Sequence, residues 1–378
     1  MIPLSIYIHI PFCIKKCYYC DFLSFPSTKN EQKYYVEALI KEINSTNKDV
    51  EYSVISIFIG GGTPSIISKE LIKKIIQSIK DNYNVSNDVE ITIEVNPGTV
   101  DKDKLETYKQ IGINRLSIGL QSTDNELLSA LGRIHNYEEF LDSYYMAKDA
   151  GFKNINIDLM FGLPNQNIIK WENTLDKIIK LNPTHISCYS LIVEGGTLLS
   201  DLFESGKLKE LDEEIERQMY HLAISKLKKA RFKQYEISNF SKEGYKCKHN
   251  LSYWIGREYL GIGLGASSYI KGVRYKNTED IKYYIKNVLH LNKIRENKNI
   301  IIKKQKMEEY MFLGLRLTQG VSKKEFLKRF NMHIEEIYKN TIYDLKDNNL
   351  IKVSNDNISL TSKGIDLSNY VFTQFLLD

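Results

Sequence analysis

Long apolar runs, the marks of a leader sequence at the given start and an excess of charge are all missing from this sequence. No stretch approaches the roughly 18 to 20 apolar residues that a membrane-spanning helix needs. The opening MIPLSIYIHIPF has neither a basic start nor a small-residue cleavage site. These absences point to a soluble, cytoplasmic protein. The net charge of +5 over 378 residues is small, and the lysines are scattered through the whole length. Basic stretches such as KLKKARFK (226–233) read as the solvated face of a helix, so nucleic acid is not expected as a partner. No low-complexity tract, long Gly/Ser/Pro linker or internal repeat beyond a strand-helix alternation is present. A paired-cysteine framework is missing too. There are five cysteines, an odd number, with Cys188 and Cys247 isolated and the other three within CIKKCYYC (13–20), which reads as metal binding in a reducing compartment.

What is present is a repeating alternation. Short β-branched runs, SIYIHI (5–10), VISIFIG (54–60), VEITIEV (89–95), RLSIGL (115–120), NINIDLMF (154–161) and HISCYSL (185–191), predict six strands. Amphipathic segments such as 31–43, 68–83 and 143–151 lie between them. This order predicts an α/β fold with a parallel sheet and right-handed crossovers. Six units are too few for a closed eight-unit barrel, so a partial (β/α)6 TIM-like barrel is expected, with its chemistry at the C-terminal strand ends. Polar and glycine-rich oddities follow the predicted strands: the three cysteines after the first, GGGTP after the second, NPG, QS and GLP after the next three. Turn chemistry explains the Gly and Pro but not Cys, Glu, Gln and Asp gathering on one rim. The expected division is 1–200 for the barrel, 201–299 for a connecting region, and 300–378 for a smaller α+β end. In that end, a helix, a strand and a β-turn-β wing predict a winged-helix-like module with near-balanced charge.

Cys13, Cys17 and Cys20 have the spacing C-x3-C-x2-C. Structural zinc takes four ligands, usually in paired C-x2-C units, and ferredoxin-type clusters use four cysteines. Three thiolates on one loop match three irons of a [4Fe-4S] cubane and leave the fourth iron open. The amino and carboxylate groups of S-adenosylmethionine (SAM) suit that open position, while a zinc site stays as the alternative.

Together YIHIPFCIKKCYYCDF, GGGTPS, IEVNPGT, RLSIGLQS, LGRIH and IDLMFGLP resemble the radical SAM superfamily. Within it, they resemble the branch that holds the oxygen-independent coproporphyrinogen oxidases and the HemW-type heme chaperones. The likeness runs nearly the whole length, through HNLSYW to FLGLRLTQGVS. It implies Cys13, Cys17 and Cys20 as cluster ligands, Tyr7 as a contact near SAM, and Gly61, Gly62 and Thr63 as a loop whose bare backbone approaches the methionine part. It further implies Glu94 and Gln121 as polar SAM contacts, Arg133 as the carboxylate partner and Asp158 as a ribose-hydroxyl acceptor. Taken alone, Glu94 also fits a solvated strand end.

Two departures separate the relatives. The decarboxylating oxidases carry a further cysteine two residues after the third, where this chain has Phe22, and they have a longer segment ahead of the triad than the 12 residues here. Both favour the chaperone. In that branch an HNxxYW motif is associated with heme, which makes His249 the expected heme ligand beside Asn250, Tyr253 and Trp254. Alone, His249 also reads as a hydrogen-bonded structural histidine, and Cys247 offers an alternative thiolate. His9 is expected to be a hydrogen-bond donor beside the cysteine loop. The remaining histidines are given no role. The expectation is thus a heme chaperone on a radical SAM scaffold, with a [4Fe-4S] cluster, SAM and heme, an electron donor and an acceptor hemoprotein as partners. The alternative is an enzyme that converts coproporphyrinogen III to protoporphyrinogen IX by radical oxidative decarboxylation. Another radical reaction on a tetrapyrrole, such as methylation, and a zinc-stabilised nucleic-acid binder stand behind it.

Overall fold

The structure is a computed structural model that describes residues 1–46 and 51–377. Its first half holds six strands, β1 (Ile2–Ile10), β2 (Tyr52–Gly61), β3 (Val85–Val95), β4 (Arg115–Gln121), β5 (Asn154–Phe161) and β6 (His185–Ser190). All six run parallel and lie side by side in chain order. Parallel neighbours need a crossover, and helices supply it: Lys29–Ser45, Lys69–Asn82, Lys102–Gln110, Tyr137–Asp149 and Ile168–Leu181. Each of these opens on Thr, Ser, Asp or Asn, whose side chain accepts a backbone N–H of the first turn. Helix Lys69–Asn82 buries Ile72, Ile75, Ile76 and Ile79, the i, i+3, i+4, i+7 face that packing against a sheet requires. The α/β reading and the partial-barrel order hold; β1 to β4 extend one to four residues beyond the runs legible in the sequence, β5 matches its run and β6 ends one residue earlier.

The sheet is larger than six strands. β7 (Lys233–Gln234) and β8 (Asn239–Ser241) add antiparallel to β6. At the other edge, β9 (Tyr259–Ile262) pairs parallel with β1, and β10 (Ser267–Ile270), β11 (Val273–Asn277) and β12 (Arg295–Ile300) continue as an antiparallel meander. Residues 201–299 therefore complete both edges of the sheet. Buried Glu42 ties one of these additions down: its carboxylate accepts from Gly263 N at 2.8 Å, Asn277 Nδ2 at 2.7 Å and the Tyr284 hydroxyl at 2.6 Å. No pairing joins the two ends of the sheet among the described residues.

Beyond residue 300 a second core forms around Met311, Phe326, Tyr338, Ile358 and Phe375. Strands β13 (Val321–Ser322), β14 (Ile351–Val353) and β15 (Asn357–Leu360) pair in the order β13-β15-β14 beside helices Lys323–Phe330 and Ile334–Asp347. This is the winged-helix-like arrangement expected. It packs on the sheet domain through Arg329, whose Nη1 donates to Ile255 O at 2.9 Å, and through Arg316, stacked 4.5 Å from the Trp254 ring centre. Among the described residues no helix is long and apolar enough to cross a membrane.

Candidate functional site

The chain leaves β1 into a loop closed at its neck by two backbone bonds. Cys13 N donates to Phe25 O at 3.1 Å and Phe25 N to Pro11 O at 2.9 Å. Cys17 and Cys20 share a tight turn, with Cys20 N donating to Cys17 O at 3.2 Å, and Tyr18 N fastens its far side to Leu131 O at 3.0 Å. The end of β2 presses against this neck: Gly62 N reaches Ile10 O at 2.9 Å and Thr63 N reaches Phe12 O at 2.7 Å. A β-carbon on Gly62 would stand 2.6 Å from Phe12 O and 2.9 Å from Cys13 Sγ, so only glycine fits. Gly61, at φ +114°, leaves the same room for the His9 ring. All three thiols are free. Thr63 donates to Cys13 Sγ at 3.5 Å and Arg133 Nη1 to Cys17 Sγ at 3.5 Å.

These thiols open onto a cavity of about 520 Å³ at the C-terminal ends of β1 to β6. The residues expected to hold cluster, SAM and heme line it, namely Cys13, Cys17 and Cys20; Tyr7, Gly61, Gly62 and Thr63; Glu94, Gln121, Arg133 and Asp158; and His249, with Asn250 and Tyr253 beside it, whereas His9, Cys247 and Trp254 are not among the lining residues. Phe22, 62% exposed, stands at its mouth. Gln121 adopts φ +73° where the β4–β5 register slips, a strained bulge that re-aims its side chain. Arg133 is held by Asn96 Oδ1 and Gly119 O. Asp158 accepts from Asn156 Nδ2 at 2.8 Å, Ser117 Oγ at 3.0 Å and the Tyr189 hydroxyl at 3.3 Å. Glu94 has one donor, Gly61 N at 3.0 Å. Burial, then the negative charge of Asp158, pushes its carboxyl up to about 8. His9 Nε2–H donates to Leu23 O at 2.8 Å, so its Nδ1 accepts from the Tyr7 hydroxyl at 3.0 Å. His9 is thus the donor beside the cysteine loop that was expected.

His249 enters from helix Lys248–Trp254, which lies far along the chain and is 2% exposed at that residue. Its Nδ1 starts a hydroxyl chain. Ser56 Oγ donates to Ser5 at 2.8 Å, Ser5 to Ser252 at 2.8 Å and Ser252 to Lys248 O at 3.0 Å. Ser56 must therefore accept from His249 Nδ1–H at 3.1 Å. Nε2 then carries the lone pair and accepts from the Tyr253 hydroxyl at 3.0 Å. Burial, then the nearby Arg115 charge, pushes the imidazole down to about 3, so it is neutral near pH 7. Cys247 is fully buried with its thiol pushed up to about 12 by burial, which makes it a poor thiolate.

The sequence reading missed two buried charged residues beside this helix, one of which sets it in place. Buried Glu90 accepts from Lys248 N and His249 N, both at 3.1 Å, and from Cys247 Sγ at 3.5 Å. It is a side-chain anion at a helix N-terminus supplied by a strand about 160 residues earlier. Arg115, 1% exposed, lies in the same cavity floor. Glu90 and Arg115 read as ordinary strand residues, and only a pattern of charge inside predicted buried strands could have flagged them. His185, given no role, lies behind the cavity residue Asn156, donating from Nδ1 to Asn156 Oδ1 at 2.6 Å and accepting from Tyr235 OH at 2.8 Å.

The comparisons with known proteins agree with this architecture. Residues 7–178 match the radical SAM superfamily and residues 301–367 the HemN C-terminal domain. The heme chaperone HemW of Bacillus subtilis (strain 168) is 39% identical over 374 residues, covering 98% of this chain and 99% of the relative. HemW of Lactococcus lactis subsp. lactis (strain IL1403) is 37% identical, covering 100% and 98%. The solved radical SAM enzyme coproporphyrinogen III oxidase (HemN) of Escherichia coli shares the fold, with a TM-score of 0.85 over 99% of this chain and 90% of that one, at 23% identity. The chain belongs to the radical SAM superfamily and, within it, to the family of the HemW heme chaperones.

Proposed function

We propose that this chain binds heme and hands it to an acceptor hemoprotein, using a scaffold that holds a [4Fe-4S] cluster and SAM. The observation that carries this reading is the docking of helix Lys248–Trp254: it presents a neutral imidazole, with its Nε2 lone pair held by the Tyr253 hydroxyl, at the same cavity as three free thiols. The names of the relatives support it. Cys13, Cys17 and Cys20 would hold the cluster. Among the described residues no three His, Cys, Asp or Glu converge closely enough to hold a single metal ion, and a cubane, which spreads its ligands over three irons, fits the triad better than zinc does. Bound together, cluster and SAM supply one-electron reductive chemistry, for which an electron donor is the expected partner.

The chain's own residues would do the positioning. Gly61, Gly62 and Thr63 let backbone approach the methionine part, Arg133 takes its carboxylate, Asp158 and Gln121 the ribose and polar edges, and Tyr7 packs beside them. Glu94 adds a pH dependence. A sulfonium or ammonium group favours the ionised carboxylate, whereas the empty site holds Glu94 protonated below about 8. The apparent Kd for SAM is expected to fall about tenfold per pH unit up to that value and then level off. Equilibrium dialysis from pH 6.5 to 9 measures it, and Glu94→Gln is expected to flatten the slope.

For heme, His249 is the proposed ligand through Nε2, with Tyr253 giving up its hydrogen bond. All five thiols are free, which supports a reducing, cytoplasmic setting. The test is an anaerobic heme titration of the cluster-reconstituted protein, followed at the Soret band. Saturation near one heme per chain is expected, with His249→Ala about tenfold weaker, or 1.4 kcal/mol. No saturable binding, or stoichiometric decarboxylation of coproporphyrinogen III, would sink the reading.

A further inference from the structure

A second cavity, of about 440 Å³, lies between β9 to β11 and helices Lys303–Gly314 and Lys323–Phe330. Tyr253 lines both cavities and is the single lining residue they share among the described residues. The walls are aromatic, with Tyr253, Tyr259, Tyr269, Tyr310, Phe312 and Phe330. Tyr253 meets Tyr259 edge-on with ring centres 4.8 Å apart, and Tyr259 lies 6.3 Å from Tyr269. Such rings offer flat apolar faces to a flat apolar ligand.

The charges lining this cavity do not balance. Arg274 is satisfied by a two-pronged pair with Glu309 at 2.8 and 3.0 Å. Arg329 pairs with Glu325 at 2.9 Å while its guanidinium lies 5.2 Å from the Tyr310 ring centre. Arg257 and Lys306 line the same cavity, and neither side chain has an acidic partner among the described residues. Burial, then the like charge of Arg329, holds the Arg257 guanidinium below the ordinary range. Two unpaired cations in the same cavity as a set of aromatic rings are complementary to a planar macrocycle that carries carboxylates at one edge.

We infer that this second cavity seats the porphyrin: the aromatic walls take the macrocycle, and Arg257 and Lys306 take its two propionates. The inference rests on the heme-binding reading above and gives it a place outside the cluster cavity. It also assigns Tyr253 a double position, as one wall of the ring site and as the hydroxyl that occupies His249 Nε2. Movement of that one side chain would bring the macrocycle and the imidazole into contact.

The experiment compares heme, followed at the Soret band, with iron-free protoporphyrin IX, followed by its fluorescence. The proteins are the wild type, R257Q/K306Q and the charge-keeping R257K/K306R. Wild type is expected to bind both ligands. R257Q/K306Q is expected to weaken both by about tenfold or more, with R257K/K306R within about threefold of wild type. A ligand-side arm needs no variant: protoporphyrin dimethyl ester, which lacks both carboxylates, is expected to bind wild type about tenfold more weakly than the free acid. Heme binding that is unchanged in R257Q/K306Q, or a diester that binds as well as the acid, overturns this site and leaves the chaperone reading standing. Heme binding without any protoporphyrin IX binding also overturns it, because the iron alone would then hold the ligand. Absence of heme binding by the wild type removes the proposed function, and this inference falls with it.

Discussion

Cys17→Ala is expected to leave a folded chain with no cluster: iron and acid-labile sulfide fall from about four each per chain to near zero, and the broad visible absorbance disappears with them. Removing one of three thiolates breaks a ligand set that has no spare, because Cys188 and Cys247 are both buried away from the loop in other contacts. The backbone survives because bonds that do not involve the thiol hold it, Cys13 N to Phe25 O and Tyr18 N to Leu131 O. Gly62→Ala is the sharper companion. It keeps every thiol, yet its β-carbon would sit 2.6 Å from a backbone carbonyl that cannot swing aside and 2.9 Å from Cys13 Sγ. Loss of most of the cluster in Gly62→Ala, with an unchanged far-UV circular dichroism spectrum, is the expected result. Full iron content in either variant would show that the loop is not the cluster site.

Glu90→Ala is expected to cost about 3–5 kcal/mol of stability and to weaken heme binding more than His249→Ala does. The carboxylate is 6% exposed and receives three donors from the start of helix Lys248–Trp254. Its removal leaves the buried His249 N–H and the part-buried Lys248 N–H without an acceptor and takes an anion from beside buried Arg115. The helix would lose the anchor that sets both His249 and Tyr253, so both cavities would change shape together. Glu90→Gln, which keeps an acceptor oxygen but no charge, is expected to fall between. Urea midpoints read the stability and a Soret titration reads the binding. A Glu90→Ala protein with wild-type midpoint and heme affinity would refute the anchoring role.

Much of this molecule was legible locally. The six parallel strands and the amphipathic segments between them follow from period-two and period-3.6 patterns, signals that reside within about ten residues of one another. The cysteine triad was equally legible, since its spacing lies within one loop. The family resemblance implied a bare backbone at Gly62 for approach to a ligand, whereas what its missing β-carbon avoids, Phe12 O and Cys13 Sγ, was not legible.

Tertiary structure alone arranged the rest, because those contacts join segments that no local pattern connects. Strand β9 pairs with β1 across some 250 residues, so the segment read as a connector became part of the sheet. Glu90 and helix Lys248–Trp254 meet across about 160 residues, and the histidine's tautomer depends on serines from β1 and β2. Arg257 and Lys306 come from separate segments and read as two more scattered cations until folding sets them in the wall of one cavity. Propensity and hydrophobic period act within one element, whereas a buried charge or a hydrogen-bond chain acquires meaning only from the partner that long-range packing brings to it.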